Sequence, residues 1–138
     1  MTDPGLIAKK LTRIEGFLAD LGRIDPAGIE ADVVVERFAE HTLQRAVQAT
    51  IDVAAHIVAD DRLGDAETNH ALFYLLARHG WLPAPLVPTM HRMVGFRYLL
   101  VHGYDAVDVR IVRQTTERHA KDLLAFVAAI RAGLAARS

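Results

Sequence analysis

Cysteine is absent from the 138 residues, which excludes disulfides and thiolate chemistry and removes the commonest structural zinc ligands. That fits a cytoplasmic setting. An excess of charge of either sign is missing too: 16 Lys and Arg stand against 17 Asp and Glu, a formal net charge of −1, so no overall field draws the chain onto nucleic acid or anionic lipid. Any nucleic-acid contact has to come from a local basic patch. No apolar run approaches the roughly 18 residues of a spanning helix, and Asp3, Lys9 and Lys10 bring charge in early, so the chain reads as soluble, unexported and without a membrane partner. Sustained alternation between hairpin turns is also lacking, so strands are not expected.

What is present is apolar periodicity. With 51% hydrophobic residues a chain of this length can bury a real core, and residues 1–138 read as one domain. From 5 to about 24, Leu6, Leu11, Ile14, Leu18 and Leu21 recur mostly three or four apart behind an Asp3-Pro4 start, which predicts a helix with one buried stripe. Asp25-Pro26-Ala27-Gly28 is turn chemistry. The chain then runs without Gly or Pro from 29 to 63, predicting one long helix that includes Val33 and packs against a second long helix or a second subunit. Gly64 is suited to a left-handed cap. A short helix is expected over 67–78, a rigid connector at Trp81-Leu82-Pro83-Ala84-Pro85, and another helix from about Pro85 that tolerates Pro88 only in its first turn. The last helix is expected over 108–135, with Leu123, Val127, Ile130 and Leu134 on one stripe. The expected fold is all-α, an up-and-down bundle of about five helices.

The stretch 93–105 sets an arginine, a histidine and a tyrosine among apolar residues. Arg97 and His102 are separated by four residues and Tyr104 follows two later, giving R-x4-H-x-Y. In a continuous helix Arg97 and Tyr104 lie about 700° apart and share a face, whereas His102 sits about 140° around from Arg97. Arginine and histidine therefore converge only if the helix distorts near Gly103, or if a twofold axis brings in the same segment of a second chain. An imidazole suits proton transfer at neutral pH, and a guanidinium grips phosphate through two donors. Read structurally instead, Arg97 caps carbonyls or pairs with a carboxylate, and His102 complements a helix dipole. The other histidines, His41, His56, His70, His79, His91 and His119, form no i, i+4 pair and no H-E-x-x-H, so no metal or cofactor is expected and most read as surface or interfacial. His56 reads as a hydrogen-bonded interface residue. Arg92, Arg110 and Arg113 either widen a positive rim around the motif or are solvated surface.

The R-x4-H-x-Y pattern resembles the signature of HepT-like toxins, a branch of the HEPN superfamily of small helical ribonucleases. Ile51-Asp52-Val53-Ala54-Ala55-His56-Ile57, Leu63-Gly64, Leu75-Leu76-Ala77-Arg78-His79-Gly80 and Val107-Asp108 are similar to that family as well. The resemblance implies a dimeric HEPN-like bundle that cleaves RNA without a metal, with Arg97 and His102 catalytic. It also implies a partner, a minimal nucleotidyltransferase antitoxin of the MntA type, which transfers AMP onto the motif tyrosine, here Tyr104. Where the family commonly has a polar residue after the arginine, this chain has Tyr98, four residues before His102 and able to support it by a hydrogen bond or stacking. Two other readings remain open at this point: a HEPN-like dimer that docks a nucleotidyltransferase without cleaving RNA, and a helical scaffold in which the motif is structural.

Overall fold

The computed structural model describes residues 2–102 and 108–138, with His102 described by its backbone alone. Six helices follow one another: α1 (Pro4–Leu21), α2 (Pro26–Ala31), α3 (Val33–Asp60), α4 (Asn69–Arg78), α5 (Leu86–His102) and α6 (Val109–Arg137). No strand occurs among the described residues. Four of the helices begin the same way. Asp3, Asp25, Asp32 and Asp108 each accept a backbone N–H of the first turn, at 2.9, 3.0, 2.8 and 2.9 Å, while Thr68 caps α4 at 3.1 Å. A carboxylate there satisfies donors that have no partner inside the helix and complements the dipole.

The long helix expected from 29 to 63 is interrupted. Asp32 takes extended backbone angles, φ −138° and ψ 118°, ending α2 and capping α3. The break turns Val33 and Val34 outward, 57% and 70% exposed, so Val33 does not belong to the buried stripe. In α1 the buried member of the first turn is Ile7; Leu6 is 37% exposed. The left-handed residue ending α3 is Arg62, φ 51°, rather than Gly64. Leu63 N–H returns to the Val58 carbonyl at 3.0 Å and Arg62 N–H to Ala59 at 3.3 Å, the two bonds of a Schellman closure. The same closure ends α4 at Gly80, φ 81°, where Trp81 N–H reaches the Leu76 carbonyl at 2.8 Å. Pro88 is the third residue of α5, inside its first turn.

α3 is the hub, packing against all five other helices. The core draws Ile7, Leu11 and Ile14 from α1, Ile29 from α2, Leu43, Val47 and Ile57 from α3, and Phe73 and Leu76 from α4. Met90, Met93 and Phe96 enter it from α5, and Val112, Leu123, Phe126 and Ile130 from α6. Polar ties lie at the edges: Glu15 of α1 takes both Nη atoms of Arg131, and Glu30 of α2 takes Arg113 at 2.7 Å.

The Trp81 ring seals the end of the bundle. It lies flat enough on α6 that a Cβ at Gly133 would meet its Cε3 at 2.5 Å, and the Arg137 guanidinium covers it at 3.9 Å from the ring centroid. Arg137 also donates to the His79 carbonyl at 2.8 Å, tying the α4 closure to α6. Gly133→Ala is expected to destabilise the fold by about 1–3 kcal/mol through overpacking, read as a lower urea midpoint at unchanged slope.

Candidate active site

α5 brings the motif to one end of the bundle through its buried face. Met90, Met93 and Phe96 anchor it, and Arg97 follows directly, half-buried. The Nε atom of Arg97 is buried with no hydrogen-bond partner among the described residues. A buried donor without an acceptor costs about 1–3 kcal/mol, so nothing in the resting packing accounts for the group.

Tyr98 is 62% exposed, and Leu99 and Val101 beside it are 52% and 40% exposed. α5 continues to His102, so Arg97 and His102 remain about 140° apart around one axis and separated by roughly 7.5 Å of rise. One chain does not place the two positions on a shared face. The distortion expected near Gly103, the Tyr104 hydroxyl, and the support expected from Tyr98 to the His102 ring all lie outside the described residues.

Of the six histidines outside the motif, most of them expected at the surface or an interface, His119 is the buried one. It is only 3% exposed, set in α6 against Phe96 of α5 with ring centroids 5.7 Å apart and edge-on at 61°. Its Nδ1 lies 3.3 Å from Asp122 Oδ2, and its buried Nε2 has no partner among the described residues. The signal was available: Val112, Thr116, His119 and Leu123 fall at spacings of four, three and four, extending the apolar stripe of α6 backward. His119 thus backs the residue that precedes Arg97.

His41, His56, His70, His79 and His91 are partly or fully exposed. His56 pairs with Asp60 at 3.3 Å, and His91 stacks on His70 at 4.4 Å between centroids. Among the described residues no group of three or more metal-binding side chains converges. The rim considered for Arg92, Arg110 and Arg113 is largely neutralised. Asp108 holds Arg110 at 2.9 Å, Glu30 and Glu117 hold Arg113 at 2.7 and 3.5 Å, and Arg92 donates to Thr89 at 3.2 Å. The Arg110 guanidinium keeps the Asp108 carboxyl below its ordinary pKa, so the cap at the start of α6 stays charged.

A six-helix bundle that ends one helix in Arg-x4-His and leaves the arginine's donor unsatisfied has the makings of a phosphate-handling nuclease. Comparison with known proteins gives that class a family. The family model for ribonuclease HepT-like proteins matches residues 7–130. The mRNA nuclease HepT of Shewanella oneidensis is 28% identical over 129 residues, covering 92% of this chain and 97% of its own. A tRNA nuclease HepT of Aphanizomenon flos-aquae is 28% identical over 109 residues, 77% of this chain and 74% of that one. The tri-AMPylated Shewanella oneidensis HEPN toxin, solved in complex with its MNT antitoxin, superposes with a TM-score of 0.85 at 28% identity, over 96% of this chain and 99% of that one. The chain belongs to the ribonuclease HepT-like family.

Burial of His119 lowers its pKa, outweighing the raising effect of Asp122. The unfolded chain therefore takes up the imidazole proton first as pH falls, so the stability contributed by the neutral ring is complete above about 6.5 and is lost on acidification below it. Thermal melts between pH 7.5 and 5 should show this loss, and His119→Gln should flatten that part of the profile.

Proposed function

We propose that this protein is an endoribonuclease toxin of a HepT/MntA-type toxin–antitoxin pair, working in the cytoplasm as a homodimer of single-domain chains. The observation that carries the reading is that the family match over 7–130 contains the whole R-x4-H-x-Y segment. RNA cleavage by this chemistry needs a base to take the 2′-hydroxyl proton, an acid to protonate the departing 5′-oxygen, and a cation over the phosphorane. The O2′–P bond forms as the P–O5′ bond breaks. His102 supplies proton transfer, Arg97 clamps the phosphate and its developing charge, and two copies of the chain supply two histidines. The Arg97 guanidinium, on a half-buried residue and in no ion pair among the described residues, supports the clamp.

The dimer is supported by the helix geometry and by apolar exposure. Arg97 and His102 do not share a face in one chain, and Tyr98, Leu99 and Val101 on α5 and Ile111 on α6 expose apolar surface on either side of the motif. Tyr104 is the proposed acceptor of AMP from a minimal nucleotidyltransferase antitoxin. An added nucleotide there would place a competing phosphate beside Arg97 and block the cleft.

Arg97→Ala and His102→Ala should each lower RNA cleavage by at least about 100-fold and relieve growth arrest on expression. Cleavage that survives loss of His102 would withdraw the nuclease assignment. With the neighbouring nucleotidyltransferase and ATP, intact mass should gain AMP on the wild type and none on Tyr104→Phe. Tyr98, in place of the family's usual polar residue, favours a second reading in which the chain docks the antitoxin without cutting. A wild type that accepts AMP but leaves RNA intact would select it.

A further inference from the structure

The net charge of −1 means that RNA has to be held by a local concentration of cations, and of the arginines bracketing the motif Arg110 and Arg113 are paired with carboxylates while Arg92 donates to Thr89. A cluster of unpaired cations lies elsewhere. A cleft of about 180 Å³ between α1 and α3 is lined by Lys10, Arg13, Arg45, Gln48, Ala49 and Asp52. Among the described residues Lys10, Arg13 and Arg45 form no ion pair; Gln48 occupies Asp52 instead, donating to it at 2.9 Å.

Both guanidiniums are held by one ring. Arg13 lies 5.7 Å and Arg45 5.1 Å from the centroid of Phe17, which sits one turn beyond Arg13 on α1. A cation–π contact fixes a guanidinium without using its N–H donors, so the two forks are pre-positioned and free to bind a planar or tetrahedral oxyanion. At about 30 Å³ per water, the cleft admits a phosphate and its hydration.

We propose that this α1–α3 cleft binds the phosphodiester backbone of single-stranded RNA, as a substrate-holding site on a different helix pair from the motif. It rests on the ribonuclease reading above. α1 does not pack against α5, so a strand bound here is gripped away from the cleavage site and contributes affinity without touching the reacting bond. Asp52 opposes the bound phosphates and sets a signed control: removing its charge tightens RNA, whereas removing the cations weakens it.

The test uses the full chain in a His102→Ala background, so that RNA stays intact, and measures binding of a single-stranded oligoribonucleotide by fluorescence anisotropy from 50 to 300 mM salt. Combined Lys10→Gln, Arg13→Gln and Arg45→Gln should weaken binding at least tenfold and reduce the log–log salt slope by about 2, at roughly 0.7 per lost phosphate contact. Asp52→Asn, an exposed substitution that leaves Phe17 untouched, should tighten binding severalfold. Unchanged affinity and slope in the combined variant, with its melting temperature preserved, would overturn the proposal; should that variant fail to fold, unaltered binding in Asp52→Asn would do the same. AMP and inorganic phosphate serve as competing probes, and either binding as tightly as the oligomer would assign the cleft to a free phosphate instead of a strand. Failure of the wild type to cleave RNA would instead strike the ribonuclease reading, which this binding assay does not address.

Discussion

The structure depends on burying α3 from several sides at once. A helix of 28 residues is roughly 42 Å long, and eleven of its side chains are buried, too many for one stripe against one neighbour. α3 therefore needs partners around most of its circumference, and the other five helices supply them. α1 covers one flank and leaves the basic cleft along their seam. On the other side α4, α5 and α6 close over it, with Phe73 of α4 meeting Phe126 of α6 edge-on at 6.2 Å. The position of the motif follows from this. α5 is held by its apolar side through Met90, Met93, Phe96 and Leu100, which leaves Tyr98 and Leu99 uncovered on the opposite face of its last turns.

Much of this was legible in the sequence because the signals were local. The stripes of α1 and α6 and the proline-set start of α5 rest on period and on backbone chemistry that one or two residues decide, whereas Asp25-Pro26-Ala27-Gly28, which reads as a turn, opens α2 at Pro26 behind the Asp25 cap. The misread points share a cause: a residue type that does two jobs. Asp32 falls inside the Gly- and Pro-free run that reads as one long helix, yet an aspartate in extended conformation ends one helix and caps the next, and neither glycine nor proline is needed for the break. At the end of α3 the left-handed position falls to Arg62, although Gly64 lies two residues on; where the helix stops is fixed by Leu63 N–H closing on Val58, a tertiary outcome that composition does not reveal. Of six histidines that mostly read as surface or interfacial, His119 is the one whose spacing sets it inward.

The motif itself was legible as chemistry and not as geometry. R-x4-H fixes which groups are available, and helical arithmetic already showed that one chain keeps them on different faces. The continuous course of α5 to His102 agrees with that arithmetic. Electrostatics were less legible, because near-neutral totals conceal how charges are partnered. Arg110, Arg113 and Arg131 are each bound to carboxylates, and it is the three-dimensional pairing that separates them from Lys10, Arg13 and Arg45.

Two buried nitrogens without partners among the described residues, Arg97 Nε and His119 Nε2, lie to either side of Phe96: one on the next residue along α5, the other across the α5–α6 seam. A packed interior ordinarily satisfies such groups or excludes them, since each unmet donor or acceptor costs as much as several methylenes contribute. Their retention beside the motif means that this seam is not optimised for the stability of a single chain.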